Sequence, residues 1–365
     1  MKKILHAGLD VHKENIRIAL FSKDSVNPIE EKTILNEKNK IKRYFQKWQK
    51  DYTIVACYEA GCMGFELQRF LEKIKIKCEI FAPGKIPKEP SDRVKTDKKD
   101  ARKLSKLLRN GDMKSIYIPT PDHEAVRDYL RSRDDLRIDL LRTKQRLKMF
   151  LLRHDFKYIE GKRPWTLSHK KWMRSIDFRN LFLKSTFDMY YNRVEGLQVE
   201  LKNMDETIEW TCNSELFAEN VSKLRCFKGI DYLTALAITC EIGDFQRFPS
   251  AQSFMSYLGI IPGEWSSGSK RRQGGITKSG NSYLRRLFIE AAWHYRHNST
   301  EGKALSKRRQ GQDEKIIAYA KKATSRLSKK FRKLSIKGKE KTKISTAVAR
   351  ELAGFVWGMM LGKVA

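Results

Sequence analysis

The spacing of apolar positions divides the chain into three regions. The first opens with two short β-type runs, residues 4–11 and 16–21, on either side of the polar turn His12-Lys13-Glu14-Asn15. That pattern predicts a hairpin with Asp10 at the end of its first strand. Beyond an N-cap expected at Asn36, Ile41, Tyr44, Phe45 and Trp48 recur at helical spacing. TIVACYEAG then reads as a buried strand over 53–58 that delivers Glu59, and a helix over 64–74 and a strand at CEIFAP complete an alternating α/β order. The next helix carries VKTDKKDARKL, in which Asp97, Asp100, Ala101, Leu104 and Leu108 share one face. Its apolar end can dock while its acidic end faces inward.

The second region, 121–224, is expected to be helical and charged. Val194, Leu197, Leu201, Met204 and Ile208 alternate gaps of three and four, which suits either a coiled-coil seam or a helical hairpin packed within its own domain. Between the helices, EGKRPWTLSHKKWMRS combines Trp165 and Trp172 with five cations from Lys162 to Arg174. The mixture suits stacking on bases and holding phosphates, or equally a solvated loop with two anchoring tryptophans.

The third region, 225–365, is expected to be mainly α-helical. FKGIDYLTALAITCEIGD places a Gly-Ile turn before a helix starting near Tyr232, similar to hairpins that offer backbone N–H groups to phosphate. EWSSGSKRRQGGITKSGN is dense in Ser, Gly and cations between two apolar helical patterns and reads as a loop. From Lys303 to Lys343 sixteen Lys/Arg face three Asp/Glu, so this segment forms a strongly basic helical surface.

Composition decides what such a chain meets. With 365 residues and 40% hydrophobic content it folds, and its net charge of +32 calls for a polyanion, of which nucleic acid fits best. The apolar run 352–362 is too short to span a bilayer and the N-terminal segment meets Asp10 before a signal-peptide core develops, so a cytoplasmic protein is expected. The six scattered cysteines lack paired spacing and are expected to be reduced.

Three segments each deliver carboxylates to an element end or helix face: Asp10, Glu59, and Asp97 with Asp100. In an RNase H-like fold, where a hairpin strand lies beside a parallel strand under a helix, these four converge. Two like charges about 4 Å apart repel by roughly 4 kcal/mol at the effective dielectric of a protein surface. Four therefore need a cation or must take up protons, and all-oxygen ligation favours Mg²⁺ or Mn²⁺, which stabilise charge on a phosphate under attack. Lys98 and Lys99 beside the pair are either solubilising neighbours or placed to meet backbone phosphate near the metal, the second reading being preferred. In the third region Ser266, Ser267 and Gly268 are followed by Lys270, Arg271, Arg272 and Lys278, and then Arg285. The serine motif is either a phosphate-binding loop or a nucleophile whose base comes from elsewhere in the fold, a carboxylate or a metal-bound hydroxide.

Together GLDVHK, YEAG, KTDKKDARKL and the late string GI…TA…EIGD…RF…YLG…SSG…LRR resemble the DEDD-type transposases of bacterial insertion sequences, a family that includes the Piv DNA invertase. The resemblance implies a RuvC-like domain over 1–120 that binds Mg²⁺ through Asp10, Glu59, Asp97 and Asp100, a helical linker over 121–224, and a transposase domain over 225–365 whose serine attacks DNA. It implies Ser267, the serine directly before glycine, as nucleophile, with Ser266 as the alternative. It also implies a structured guide RNA, the bridge RNA, and assembly up to a tetramer in which the two domains of one active site come from different protomers. Donor and target DNA would then be read by base pairing while the basic surface holds backbones; Lys270, Arg271, Arg272, Lys278 and Arg285, with Trp165 by stacking, are the nucleic-acid contacts expected there. The competing readings are a RuvC-like nuclease that uses metal-activated water and a non-catalytic nucleic-acid packaging protein.

Overall fold

The hairpin expected at the start of the chain forms: β1 (Lys3–Val11) and β2 (Asn15–Ser22) pair antiparallel, with Asp10 opposite Arg17. The computed structural model describes residues 2–87, 97–161, 163–267, 270–297 and 300–364. Two compact units result, Met1–Ile118 and Pro119–Ala365.

In the first unit β3 (Glu30–Leu35) extends the hairpin, α1 (Lys38–Gln49) leads to β4 (Tyr52–Glu59), α2 (Glu66–Lys73) leads to β5 (Lys77–Phe81), and α3 (Asp97–Asn110) follows. The sheet order is β3-β2-β1-β4-β5, with β1, β4 and β5 mutually parallel. β3 was not foreseen. Its sequence EEKTIL is polar because it is an edge strand with little burial. Asn36 does not cap α1 either. Glu37 holds the cap position, and the Asn36 amide instead donates to the His12 carbonyl at 2.8 Å, fastening the hairpin turn.

The two faces of the sheet carry different residues because strand side chains alternate. Leu5, Ala7 and Leu9 of β1, Ile16, Ile18 and Leu20 of β2, and Ile54, Ala56 and Tyr58 of β4 share one apolar core with Ile41, Phe45 and Leu71 of α1 and α2. The opposite face receives α3. Ala101 packs on Ala19 and Phe21, and Leu104 on Cys57 and Phe81. A hairpin strand beside a parallel strand, with a helix laid over both, is the arrangement expected of the RNase H-like reading.

The second unit is helical apart from one ribbon: α4 (Pro121–Arg153), α5 (Leu167–Arg174), α6 (Leu181–Cys212), α7 (Ala218–Arg225), α8 (Tyr232–Ile242), α9 (Ala251–Tyr257), β6 (Pro262–Ser267), β7 (Lys270–Ile276), α10 (Ser282–Trp293), α11 (Lys303–Arg309), α12 (Glu314–Ile336) and α13 (Lys341–Met360). α8 is largely apolar and sits at the centre, where Ala235 to Ile242 are buried beneath α4, α6, α7 and α10. α4 and α6 form an antiparallel pair. Leu130 and Ile208 join the central core at one end, while Leu147, Phe150, Phe187 and Tyr191 form a separate aromatic cluster at the other. The residues of the heptad-like seam, Val194, Leu197, Leu201 and Ile208, are buried within this hairpin. No helix is long and apolar enough to cross a membrane among the described residues. All six cysteines are free, and only Cys62 is exposed.

Candidate functional site

Asp10 and Glu59 end adjacent parallel strands. The register pairs Gly8 with Cys57 and Leu9 with Tyr58, so the two carboxylates follow one residue beyond, on strands about 4.8 Å apart. By alternation both lie on the α3 face, Asp10 in line with His6 and Gly8, Glu59 in line with Cys57.

Gly8 explains how α3 comes so close. A Cβ there would stand 2.1 Å from the Ala101 carbonyl oxygen and 2.4 Å from the Ser105 nitrogen, so the helix backbone rests directly on the strand. The Ser105 hydroxyl donates to the His6 carbonyl at 2.8 Å. With Ser105 over His6 and Ala101 over Gly8, α3 runs antiparallel to β1. One turn back toward the helix start, about 6 Å along, lies over Asp10. Asp100 precedes Leu104 by one turn and shares its side of the helix, the side that Leu104 packs against Cys57 on β4. Asp100 thus points toward the end of β4, where Glu59 stands exposed. Arg102 fixes the helix to the edge strand through a bidentate pair with Glu31, whose Nη2–Oε2 distance is 2.7 Å.

Two neighbours temper this acidic corner. Arg17 lies directly across from Asp10 on the same face, and His12 Nε2 stands 3.2 Å from Asp10 Oδ2. Sequence reasoning missed both, although the four-residue turn and the hairpin register were enough to find them. The side chains of Asp97 and Lys98 lie outside the described residues, and Lys99 is exposed. Among the described residues no three His, Cys, Asp or Glu side chains are gathered closely enough to hold a metal ion. The oxygen donors share a face, and Asp10 is turned toward His12.

The serine segment differs from the loop expected of it. β6 and β7 form a two-stranded antiparallel ribbon that pairs Ser267 with Lys270, Ser266 with Arg271 and Trp265 with Arg272. The expectation failed because the ribbon has no buried face to impose alternation: Trp265 is 69% exposed. Its indole instead covers glycine backbone, since a Cβ on Gly274 would meet the ring at 2.7 Å. The Ser266 hydroxyl donates to Glu264 at 2.8 Å, giving its proton a carboxylate acceptor two residues away on the same side of the strand. The side chains of Ser267, Lys270 and Arg271, and all of Gly268, lie outside the described residues; Arg272 is exposed.

The ribbon's base is rigidly built. Lys278 and Gly280 adopt left-handed φ of 54° and 88°, and a Cβ on Gly280 would stand 2.0 Å from the Tyr257 carbonyl oxygen. Arg285 donates to the Leu258 carbonyl at 3.0 Å, so its guanidinium braces this base. Behind it lies Glu241, a buried carboxylate at the last turn of α8. Burial and the helix dipole both oppose its charge. Arg131 compensates with bonds of 3.1 and 2.9 Å to Oε1, and Asn281 donates to Oε2 at 2.9 Å while its own carbonyl caps α10 through Leu284 N–H. Arg127 covers the carbonyls of Cys240 and Glu241 at the same helix end. EIGD carried this signal, but nothing in its spacing announced Arg131 as the partner.

Glu241→Ala should therefore lower unfolding free energy by about 1–3 kcal/mol. That figure is less than a fully buried broken pair because Arg131 is half-exposed and can turn to water. Urea melts check it, and an unchanged midpoint would remove Glu241 as the anchor of the ribbon base.

Two other expectations change. At the Gly-Ile turn the Asp231 side chain accepts from Tyr232 N–H and pairs with Arg225 at 2.7 Å and Arg308 at 3.2 Å. A carboxylate of the chain itself occupies the helix start where a phosphate was expected. A Cβ on Gly229 would stand 2.4 Å from the Ala291 carbonyl oxygen, so the turn packs inward. Trp165 is half-buried in the aromatic cluster at the far end of α4 and α6, with the Lys144 ammonium 4.8 Å from its ring centroid and His169 edge-on to it. Burial lowers the Lys144 pKa. Anchoring is the role these contacts describe.

Known families match both ends of this architecture. A DEDD model of the IS110 type, described as transposase, covers residues 7–155 and includes every acid of the corner, and the model of the Transposase IS116/IS110/IS902 family covers residues 221–307, which include the serine ribbon. The transposase for insertion sequence element IS1533 of Leptospira borgpetersenii is 40% identical over 349 residues, 93% of this chain and 99% of that protein. A putative transposase of Sinorhizobium fredii, y4qE, is 39% identical over 83% of this chain and 74% of its own length. The transposase for IS1111A of Coxiella burnetii is 26% identical over 69% of this chain and 71% of that protein. With an acidic corner and a serine ribbon each inside its matching segment, the chain belongs to the IS116/IS110/IS902 family of transposases and is a DNA transposase.

Proposed function

We propose that this transposase cuts and rejoins DNA through Ser267, with Asp10, Glu59, Asp97 and Asp100 forming a Mg²⁺ site in a RuvC-like domain and a structured guide RNA choosing the sites. The observation that carries the reading is the shared face: Asp10 and Glu59 end neighbouring strands beneath the turn of α3 that bears Asp100. Their all-oxygen donor set fits Mg²⁺ or Mn²⁺ and offers nothing soft enough to prefer zinc. When bound, such an ion supplies charge stabilisation to a phosphate under attack. Asp10 must turn from His12 to share in holding it, and Arg17 limits the repulsion among the carboxylates until then.

The Ser267 hydroxyl adds to phosphorus as its proton passes to a base, and the bond from phosphorus to the leaving strand oxygen breaks, with that oxygen taking up a proton. The resulting phosphoserine ester keeps the energy of the broken bond for rejoining. Lys270 and Arg271 pair across the ribbon with Ser267 and Ser266, where cations neutralise phosphoryl oxygens. Ser266 is the alternative nucleophile, favoured by its bond to Glu264.

Nicked suicide DNA incubated with the protein and its copurified RNA should yield a covalent protein–DNA adduct. Ser267→Ala is expected to abolish it and Ser266→Ala to leave it. Loss in the second variant alone moves the nucleophile by one residue. Cleavage with no adduct in any variant replaces the serine mechanism by metal-activated water. Sequencing the copurified RNA tests the guide directly, since transfer RNA and ribosomal fragments alone would count against it.

A further inference from the structure

α12 presents two unlike faces. Ala320, Ala323, Thr324, Leu327, Ser328 and Phe331 are buried. On the other side Lys315, Lys322, Lys329 and Lys333 are exposed, at gaps of seven, seven and four that hold them within about 40° of one another around the helix. Arg332 flanks them, also exposed.

Pairing separates this row from its neighbours. Glu351 of α13 takes up Arg326 and Lys330, and Glu301 lies 3.8 Å from Lys321. Among the described residues Lys322, Lys329, Arg332 and Lys333 have no carboxylate within ion-pair distance. Cations so concentrated repel one another and gain from a line of anions. The stripe from Lys315 to Lys333 spans about 27 Å of helix, the rise of about eight base pairs of duplex. Ala318 and Ser325, small and on the outer side, let the helix backbone come close to a phosphate ridge.

We infer that the exposed face of α12 holds the phosphate backbone of duplex DNA, without reading its sequence. Lysines act as point charges and make no bidentate base contacts of the kind that confer sequence choice. Ile336 at its C-terminal end is the one large hydrophobic side chain exposed along α12, too little apolar surface to seat a protein.

The test is binding of a fluorescent 20-base-pair duplex of arbitrary sequence, titrated with salt, by wild type and by the triple variant Lys322→Glu, Lys329→Glu, Lys333→Glu. The variant should bind at least about tenfold more weakly at 100 mM salt. Its slope of log affinity against log salt should be shallower by about 3, one unit for each phosphate no longer neutralised. A control with the same charge change on α1, Lys40→Glu, Lys42→Glu, Arg43→Glu, should keep the wild-type slope. Equal losses in both variants would reduce the effect to net charge and overturn the assignment. So would an unchanged slope in the α12 variant, or a structured RNA hairpin that loses more affinity than the duplex. The lysines are exposed, so helical circular dichroism should be unaltered in both variants.

Discussion

Gly8→Ala should unseat α3 and cost the enzyme both stability and activity. The added methyl would lie 2.1 Å from one helix backbone atom and 2.4 Å from another, and backbone cannot swing aside as a flexible side chain can. Either the helix lifts from the sheet or β1 bends. Lifting breaks the Ser105–His6 bond and opens the packing of Ala101 on Ala19 and Phe21. Overpacking of this kind costs typically 1–3 kcal/mol, about the low end of what marginal domains can lose before a visible shift in melting. On the proposed reading strand cleavage should suffer more, because the same helix carries Asp100, and displacing a group of the proposed metal site by about 1 Å can reduce rate by about a hundredfold. Gly84→Ala is the control. No atom lies within 4 Å of a Cβ there and its φ is not left-handed, so melting temperature and strand cleavage should match wild type. A Gly8→Ala protein that melts and cleaves like wild type would mean that α3 is not held as described.

That seat was hidden from sequence reasoning, and the reason is general. A glycine in a strand signals that something approaches closely, but not what approaches. The acids were legible from their place beside apolar positions: Asp10 stands one residue before the end of β1, Glu59 ends β4, and Asp100 shares a helical stripe with Ala101 and Leu104. Where an element's residues face a core, periodicity reveals it. β3 and the β6–β7 ribbon face mostly solvent, so EEKTIL and KRRQGGI show no such period and their strands escaped notice. Glu241 escaped for a different reason. Its partners Arg131 and Asn281 lie 110 and 40 residues away, and only the folded chain brings them together. Charge was legible as a total but not as a surface, since Glu351 of α13 and Glu301 neutralise some cations of α12 and leave others.

Glu59→Gln should abolish strand cleavage while leaving the fold as stable as before, or slightly more so. Glu59 is exposed at the end of its strand, and the sheet around it is held by the Leu9–Tyr58 ladder and by Leu104, none of which depends on its charge. What its charge does is repel. Two carboxylates about 5 Å apart repel by roughly 3 kcal/mol at an effective dielectric of 20, and less once solvent screens an exposed pair. Neutralising one should therefore raise the metal-free melting temperature or leave it unchanged. Asp10→Asn should gain less, because Asp10 also faces Arg17 and His12. Added Mg²⁺ should separate variant from wild type. An ion that binds only the folded state at a hundred times its dissociation constant adds about 2.7 kcal/mol. Wild type should melt later with Mg²⁺, and Glu59→Gln should respond weakly or not at all. Duplex binding through α12 lies far from Glu59 in the chain and should keep its salt dependence in this variant. Catalytic loss is expected at about a thousandfold or more, since a metal at such a site contributes several kcal/mol of charge stabilisation. Should Glu59→Gln cleave normally, or should Mg²⁺ shift its melting as much as that of wild type, the acidic corner would not be the metal site.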